Sequence, residues 1–519
     1  MASSSSIFAG NIDGNIAVVR SHAAGSTADW NLYLPQTWTG PSLFNGGRTI
    51  FQDTASLLNT TSIEISNATL YFAASNNSTE AGSQTNRVSD TAPITMSGAM
   101  FQFRNRAALI TTETIGAVTL KGGRNIFDFA EGGTGVNQTT FTMASLAREA
   151  GSHTTLRFLN IDGTPNDDQQ LFISTLNGVA TTNIGDGLTN HLIGGWATFE
   201  REWASYIPGQ GVSALNKEGY AGYSPNLINF GGATDNIRIV TPNAGSITTL
   251  DGDLTINSLN MQAGASSTDS SSLDLNGHTL TLASGGIILS PVATNALSMS
   301  MTVENGNLTA GTTASPADLY LHAQQWFNGQ ANNTGNADVI VNASIVDNAA
   351  GGAVTLVVSG EVGRGSLVNT NDVFINGSNT HTGGTFINSG RIRLDNALAD
   401  GVNVFAIPGD LTIAGGYSGN AGAYEDRLTT VIYNAGDQMA NTGNLTVMGG
   451  GILNLNNLSQ TVASLTFDNN GGNTPQVTTG SGTLTVTGAI TASGQNASSS
   501  STRIDGKLAP RGHLRRRSP

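Results

Sequence analysis

The stretch Thr382–Gly401, TGGTFINSGRIRLDNALADG, sets a short strand, a glycine and a second short strand in succession. In GRIRLDN a period of two puts Ile392 and Leu394 on one side of a strand and Arg391 and Arg393 on the other, with Gly390 and Asn396 placed for corners. The expectation is that the two apolar residues point inward and the two arginines form a solvated face. A related pattern, Gly-x-Leu-Thr followed by a small or apolar residue, recurs at Gly252, Gly306, Gly409, Gly443 and Gly482, and in a form one residue longer (GHTLTL) at Gly277. The spacing is 54 residues from Gly252 to Gly306, 34 from Gly409 to Gly443 and 39 from Gly443 to Gly482, which argues against fixed propeller blades and for coils of variable length. One such coil cannot bury its own Leu, Ile and Val. Stacking the next coil about 4.8 Å along covers them and pairs the backbone. At roughly 20–30 residues per coil the chain would make about 17–26 coils, a β-solenoid rod of about 80–125 Å.

The rest of the chain agrees with this reading. Short alternating runs such as SIEISNATLYFAA, NIRIVTP and AVTLVVSG lie between Gly, Asn, Asp and Ser, which is strand and turn chemistry. Only Phe141–Gly151 (FTMASLAREAG) reads as a short helix, with a possible second near NKEGYAGYS. The 519 residues include 65 glycines and only 11% charged residues, yet 38% are hydrophobic, so the chain has the material to fold. Cysteine is absent, which excludes disulfides, thiolate metal sites and cysteine nucleophiles. The formal charge is −14, and the part before Arg503 carries 16 basic against 35 acidic residues, a net −19 that repels nucleic acid and anionic membranes. The segment 501–519 is basic and is expected to be a disordered tail. No apolar run reaches the length of a membrane helix, and the start lacks the pattern of a signal peptide.

Asn379–Gly401 (NTHTGGTFINSGRIRLDNALADG) resembles the autotransporter-associated β-strand repeat, a Thr-Gly-Gly-Thr-Thr-Ile-Asn-x-Gly-x-Leu unit, with Phe386 in place of the second threonine and Ile392 in place of the leucine. The segments from Ser272, Gly450 and Gly480 are similar to other coils of such proteins, and Leu192–Tyr206 resembles a segment found among them. The resemblance covers about 245–490 and is weaker before. It implies an all-β fold, a right-handed parallel β-helix with irregular coils and lateral loops, exposed at an outer-membrane surface or secreted by a bacterium. It also implies partners among surface glycans or other cell-surface molecules, and a monomeric rod. No carboxyl-terminal membrane barrel is recognised in the sequence. The expected division is 1–244, a β-rich region with aromatic lateral loops; 245–500, the repeat region; and 501–519, the tail.

Few residues suggest chemistry. The histidines lie far apart without zinc spacing, GGTGVNQTT at Gly132 matches a calcium β-roll repeat only in its glycines, and the loop NIDGTPNDDQQ with Asp162, Asp167 and Asp168 lacks EF-hand spacing. No cofactor is implied. A β-helical polysaccharide lyase or glycoside hydrolase is the alternative function, and its candidate acids are Glu200, Glu202, Asp167 and Asp168. Trp196, Trp203, Tyr206, Tyr220 and Tyr223 are candidate glycan contacts around Glu200 and Glu202, although the same rings also suit packing on the rod. The favoured reading is a non-catalytic structural or adhesive protein.

Overall fold

The computed structural model describes residues 6–21, 29–73, 85–104, 110–129, 138–161, 169–217, 222–224, 227–241, 247–263, 270–293, 299–324, 326–327, 337–360, 372–416, 429–472, 474–494 and 501–511. The fold is all-β, dominated by parallel sheets; the one helical turn among the described residues is a 3₁₀ turn at Ile228–Phe230. No described helix is long and apolar enough to cross a membrane.

The first part of the chain, Ser6–Phe8 through Gly211–Ala214, forms one 17-stranded sheet system. Ser42 pairs in parallel with Ile63, and Ile63 with Ile94, so successive circuits take 21 and 31 residues. From Asn236–Thr241 onward the chain passes repeatedly between two sheets of 12 and 11 strands, in places giving two successive strands to the same sheet, with a small two-stranded sheet of Val292–Ala293 and Trp326–Phe327 beside them. Thr382–Gly401 shows how a circuit is built. Thr385–Ser389 lies in one sheet and Arg391–Leu394 in the other, with Gly390 at φ +104° between them, a dihedral that favours glycine. Ile392 and Leu394 are buried at 0%, while Arg391 and Arg393 face outward and both pair with Asp372 of the preceding rung. Asp347 fixes the corner before them, accepting the Thr382 backbone N–H (2.9 Å) and hydroxyl (2.7 Å).

Where the backbone leaves the ladders, buried amide side chains replace it. Gln438 accepts the Asn396 N–H at 2.8 Å and donates to the Asn396 carbonyl at 3.0 Å, and Gln460 does the same for Met439 at 3.1 and 2.9 Å. Buried polar groups of this kind stabilise only when paired, and these four bonds pair both ends of each amide.

Three expectations are corrected. The helix expected at Phe141–Gly151 is instead the strand Gln138–Arg148, because ten residues in register with Ile110–Gly122, with Phe141 and Met143 fully buried, outweigh the local helix propensity of its Ala, Leu and Glu residues, which is on the order of a few tenths of a kcal/mol each. Within the segment expected to be a disordered tail, Arg503–Pro510 forms a strand in parallel register with Gln476–Val486; residues 512–519 lie outside the described residues. The single rod is replaced by two shorter stacks lying side by side and running in opposite senses. Asn67 of an early circuit donates to Gly471 O (3.0 Å) of a late one, Thr155 bonds Ser359 (3.2 Å), and His322 Nε2–H donates to Gly195 O (2.9 Å). The second stack, ten strands along each sheet path, is about 45 Å long at the usual strand spacing.

Candidate functional site

The aromatic stretch near Trp196 is the turnaround between the stacks. Ala197–Phe199, Glu202–Ile207 and Gly211–Ala214 form an antiparallel meander whose first strand continues the parallel ladder on Thr155–Leu159. Its inward residues Trp196, Phe199, Tyr206 and Val212 join the core of the first stack, and the Tyr206 hydroxyl accepts the Ile173 N–H at 3.3 Å. The meander closes an end that would otherwise expose apolar surface, as capping repeats do. Trp196, Trp203 and Tyr206 are 4%, 0% and 4% exposed, so their rings pack the junction instead of offering faces to a glycan. The Trp203 ring meets His322 edge-on at 5.7 Å and lies against Gly286, where an added Cβ would come within 2.5 Å of the indole.

Glu200 and Glu202 do not share a strand face. Glu200 is exposed at φ +50° in the turn between two strands, whereas Glu202 begins the second of them. Four donors that follow the meander in the chain converge on Glu202, three of them from strands of the second stack: Tyr223 Oη–H at 2.7 Å, Asn260 Nδ2 at 2.9 Å, Gln262 Nε2 at 2.9 Å and Arg238 at 3.2 Å. Burial and the adjacent Glu202 charge push the Tyr223 phenol well above its usual range, so it remains a donor. A carboxylate satisfied in this way is a clamp; it has little capacity left to protonate a substrate. Tyr220, Asp167 and Asp168 lie outside the described residues, as do Asp162 and most of the GGTGVNQTT segment.

Sequence reasoning missed a second constellation. Between the stacks opens a cleft of about 920 Å³, walled on one side by Arg148–His153 and Gly187–Trp196 and on the other by Gly285 and Pro316–Asp318. On its wall Arg148 donates to the Tyr320 hydroxyl, which donates to Asp318; the other Asp318 oxygen lies 2.8 Å from His153 Nδ1. The Arg148 guanidinium also sits 5.0 Å from the Trp196 ring centre and 5.6 Å from that of Tyr320. Burial alone would push the Asp318 carboxyl up, but His153, Tyr320 and Arg148 together hold it below the usual value. Burial drives the Tyr320 phenol far above its own. The His153 backbone, at φ +47°, is fixed from the second stack by Asn388, which donates to its carbonyl at 2.7 Å. The members are up to 172 residues apart, and no local motif announces them.

The arrangement holds an imidazole with one nitrogen committed to a carboxylate, the relation that fixes tautomer and orientation in acid–base sites and in polar recognition sites alike. Among the described residues no three His, Asp or Glu side chains converge as a metal site requires. Comparison of the chain with protein-family models, with curated proteins and with solved structures finds no match.

Proposed function

We propose that the chain is a non-catalytic structural or adhesive protein of a bacterial surface or secreted passenger type, its two stacks being right-handed parallel β-helices packed antiparallel. The observation that carries this reading is the continuous parallel ladder of the second half, in which Leu254, Leu280 and Leu308 of successive Gly-x-Leu-Thr units stand opposite one another. The right hand follows from the strong steric preference of parallel crossovers for it. Low charge, paired buried amides and the capping meander suit a scaffold that must persist without disulfides. Protease treatment of intact cells of the native host tests the surface assignment: the chain should be cleaved or shed while a cytoplasmic marker stays intact, and full protection in intact cells with cleavage after lysis would refute it.

A second reading, a β-helical polysaccharide-active enzyme, draws support from the His153–Asp318 pair at the cleft and not from Glu202. A reducing-end release assay on a panel of polysaccharides decides between them. Turnover abolished by His153→Gln would establish the enzyme.

A further inference from the structure

We infer that the cleft between the two stacks is a binding site for a neutral oligosaccharide. The inference rests on the adhesive reading above and gives it a ligand class.

The stacks touch directly at the cleft's edge, where Gly195 lies against Ser284 and Gly286 so closely that an added Cβ would be 2.4 Å from the Ser284 carbonyl, and away from it, where Gly98 meets Gly415 in the same way at 2.5 Å. Between these contacts the two surfaces part to leave about 920 Å³, within the range of sites that hold small molecules. The walls are pre-formed. Asn177 Nδ2 donates to Gly187 O (2.8 Å) and Ile193 O (2.9 Å), fixing the segment that forms one wall. On the opposite wall, Asp318 is held by Arg148, Tyr320 and His153.

Charge selects the ligand class. Arg148 is engaged with Tyr320 and Asp318, and among the described residues the exposed Glu149 has no ion-pair partner, within a protein of net −14. Phosphates, uronates and sialosides are therefore disfavoured. What the cleft offers instead suits hydroxyl groups. Glu149 accepts, Thr189 both donates and accepts, and the partly exposed His153 presents an Nε2 with no partner among the described residues. Interspersed with these are apolar surfaces that match the C–H faces of a pyranose: Val179, 47% exposed, with Ala150 and Pro316, also exposed. Alternating polar and apolar surface in an open groove fits a sugar chain better than a compact apolar ligand.

The test is isothermal titration of the full-length chain with neutral hexasaccharides of β1,4-glucose, α1,4-glucose, β1,4-N-acetylglucosamine, mannose and galactose, and with trigalacturonate as the anionic comparator. At least one neutral hexasaccharide should bind with a Kd below about 1 mM, and trigalacturonate about tenfold more weakly or not at all. Ala150→Trp, which fills the cleft from an exposed turn without touching the contacts between stacks, should weaken binding at least about tenfold while leaving the unfolding midpoint within about 2 °C of wild type. Glu149→Gln should weaken neutral binding less and narrow the gap to trigalacturonate. No binding by any neutral hexasaccharide, tighter binding of trigalacturonate, or binding that Ala150→Trp leaves unchanged would overturn the site. Because the titration uses purified protein and the surface assignment is read on intact cells, the two can fail separately.

Discussion

Replacing Glu202 tests whether it joins the two stacks. Its side chain is 15% exposed and accepts four hydrogen bonds, three of them from Arg238, Asn260 and Gln262 on strands of the second stack. In Glu202→Ala the four donors do not suffer equally. Asn260 and Gln262 keep the Arg201 carbonyl at 3.1 and 3.0 Å, whereas the Tyr223 hydroxyl proton and the Arg238 contact lose their acceptor. Two charge-assisted bonds at about 1.5–3 kcal/mol each give about 3–6 kcal/mol, and the 28% exposure of Arg238 returns part of that to water, leaving about 2–4 kcal/mol. Glu202→Gln keeps one acceptor oxygen and should cost about half as much. A long stacked array opens locally, so the assay is native-state hydrogen exchange read residue by residue. Opening free energies should fall across Glu202–Ile207 and the facing strand Leu254–Ala263, and stay unchanged in the distant strands Asn444–Met448 and Gly451–Asn454. A loss below about 0.5 kcal/mol, or one spread evenly over both stacks, would refute the clamp.

Three further perturbations address the same architecture. Gly195→Ala places a methyl group 2.4 Å from the Ser284 carbonyl, so the stacks must separate locally; the unfolding midpoint should drop and the Trp203 environment, read by fluorescence, should become wetter, whereas an unchanged midpoint would mean that the close approach is not maintained. Phe127→Ala removes a fully buried ring from the core of the first stack and should cost about 3–5 kcal/mol by chemical denaturation. Burial pushes Glu113 up to about 7 and Asp338 up to about 6, and pushes His322 and His381 down to about 4. Between about pH 4.5 and 6 the native state therefore holds protons on two carboxyls while the unfolded state holds them on two imidazoles, and stability should be nearly flat. Glu113→Gln leaves the imidazoles in excess, so stability should then rise with pH through this window by up to about 1.4 kcal/mol per unit; His322→Gln should produce the opposite slope, and parallel pH profiles for all three proteins would contradict the assignment.

The stacked second half was legible because its repeats carry leucines at equivalent register: Leu411 stands opposite Leu445 as Leu254 stands opposite Leu280. One copy misleads, since Leu484 lies in the other sheet, opposite Gln460 and Leu508. The first half repeats equally well in space, through phenylalanine: Phe51, Phe72 and Phe103 form one column, and Phe101, Phe127, Phe158 and Phe199 another. The spacings within them, 21 and 31 residues, then 26, 31 and 41, are too uneven for a motif search. The polar cluster at the cleft was illegible for a stronger reason, since Arg148 and His153 meet Asp318 and Tyr320 only once the chain has doubled back.

The doubling back did leave a trace, in strands that break the alternation of a half-solvated sheet. In Met299–Glu304 and Ser464–Asn469 buried and partly exposed residues alternate strictly, as expected where one face meets water. Val354–Gly360, VTLVVSG, is buried at all seven positions, and the second half of Thr279–Ser290, GIILS, is buried throughout. In the first of these Leu356 and Val358 fill the second stack, whereas Val357 joins the core of the first, as does Tyr320 on the neighbouring strand. An outer face carrying Val, Tyr and Ile would be an exposed apolar patch on a single rod. Covering it with the other stack removes that surface from water, and the polar residues interspersed in it find partners across the contact, as His322 does at Gly195 and Ser359 at Thr155. Continuously buried runs at 256–263, 286–290, 319–323 and 354–360, on four consecutive strands of one sheet, therefore mark where the second stack is covered by the first.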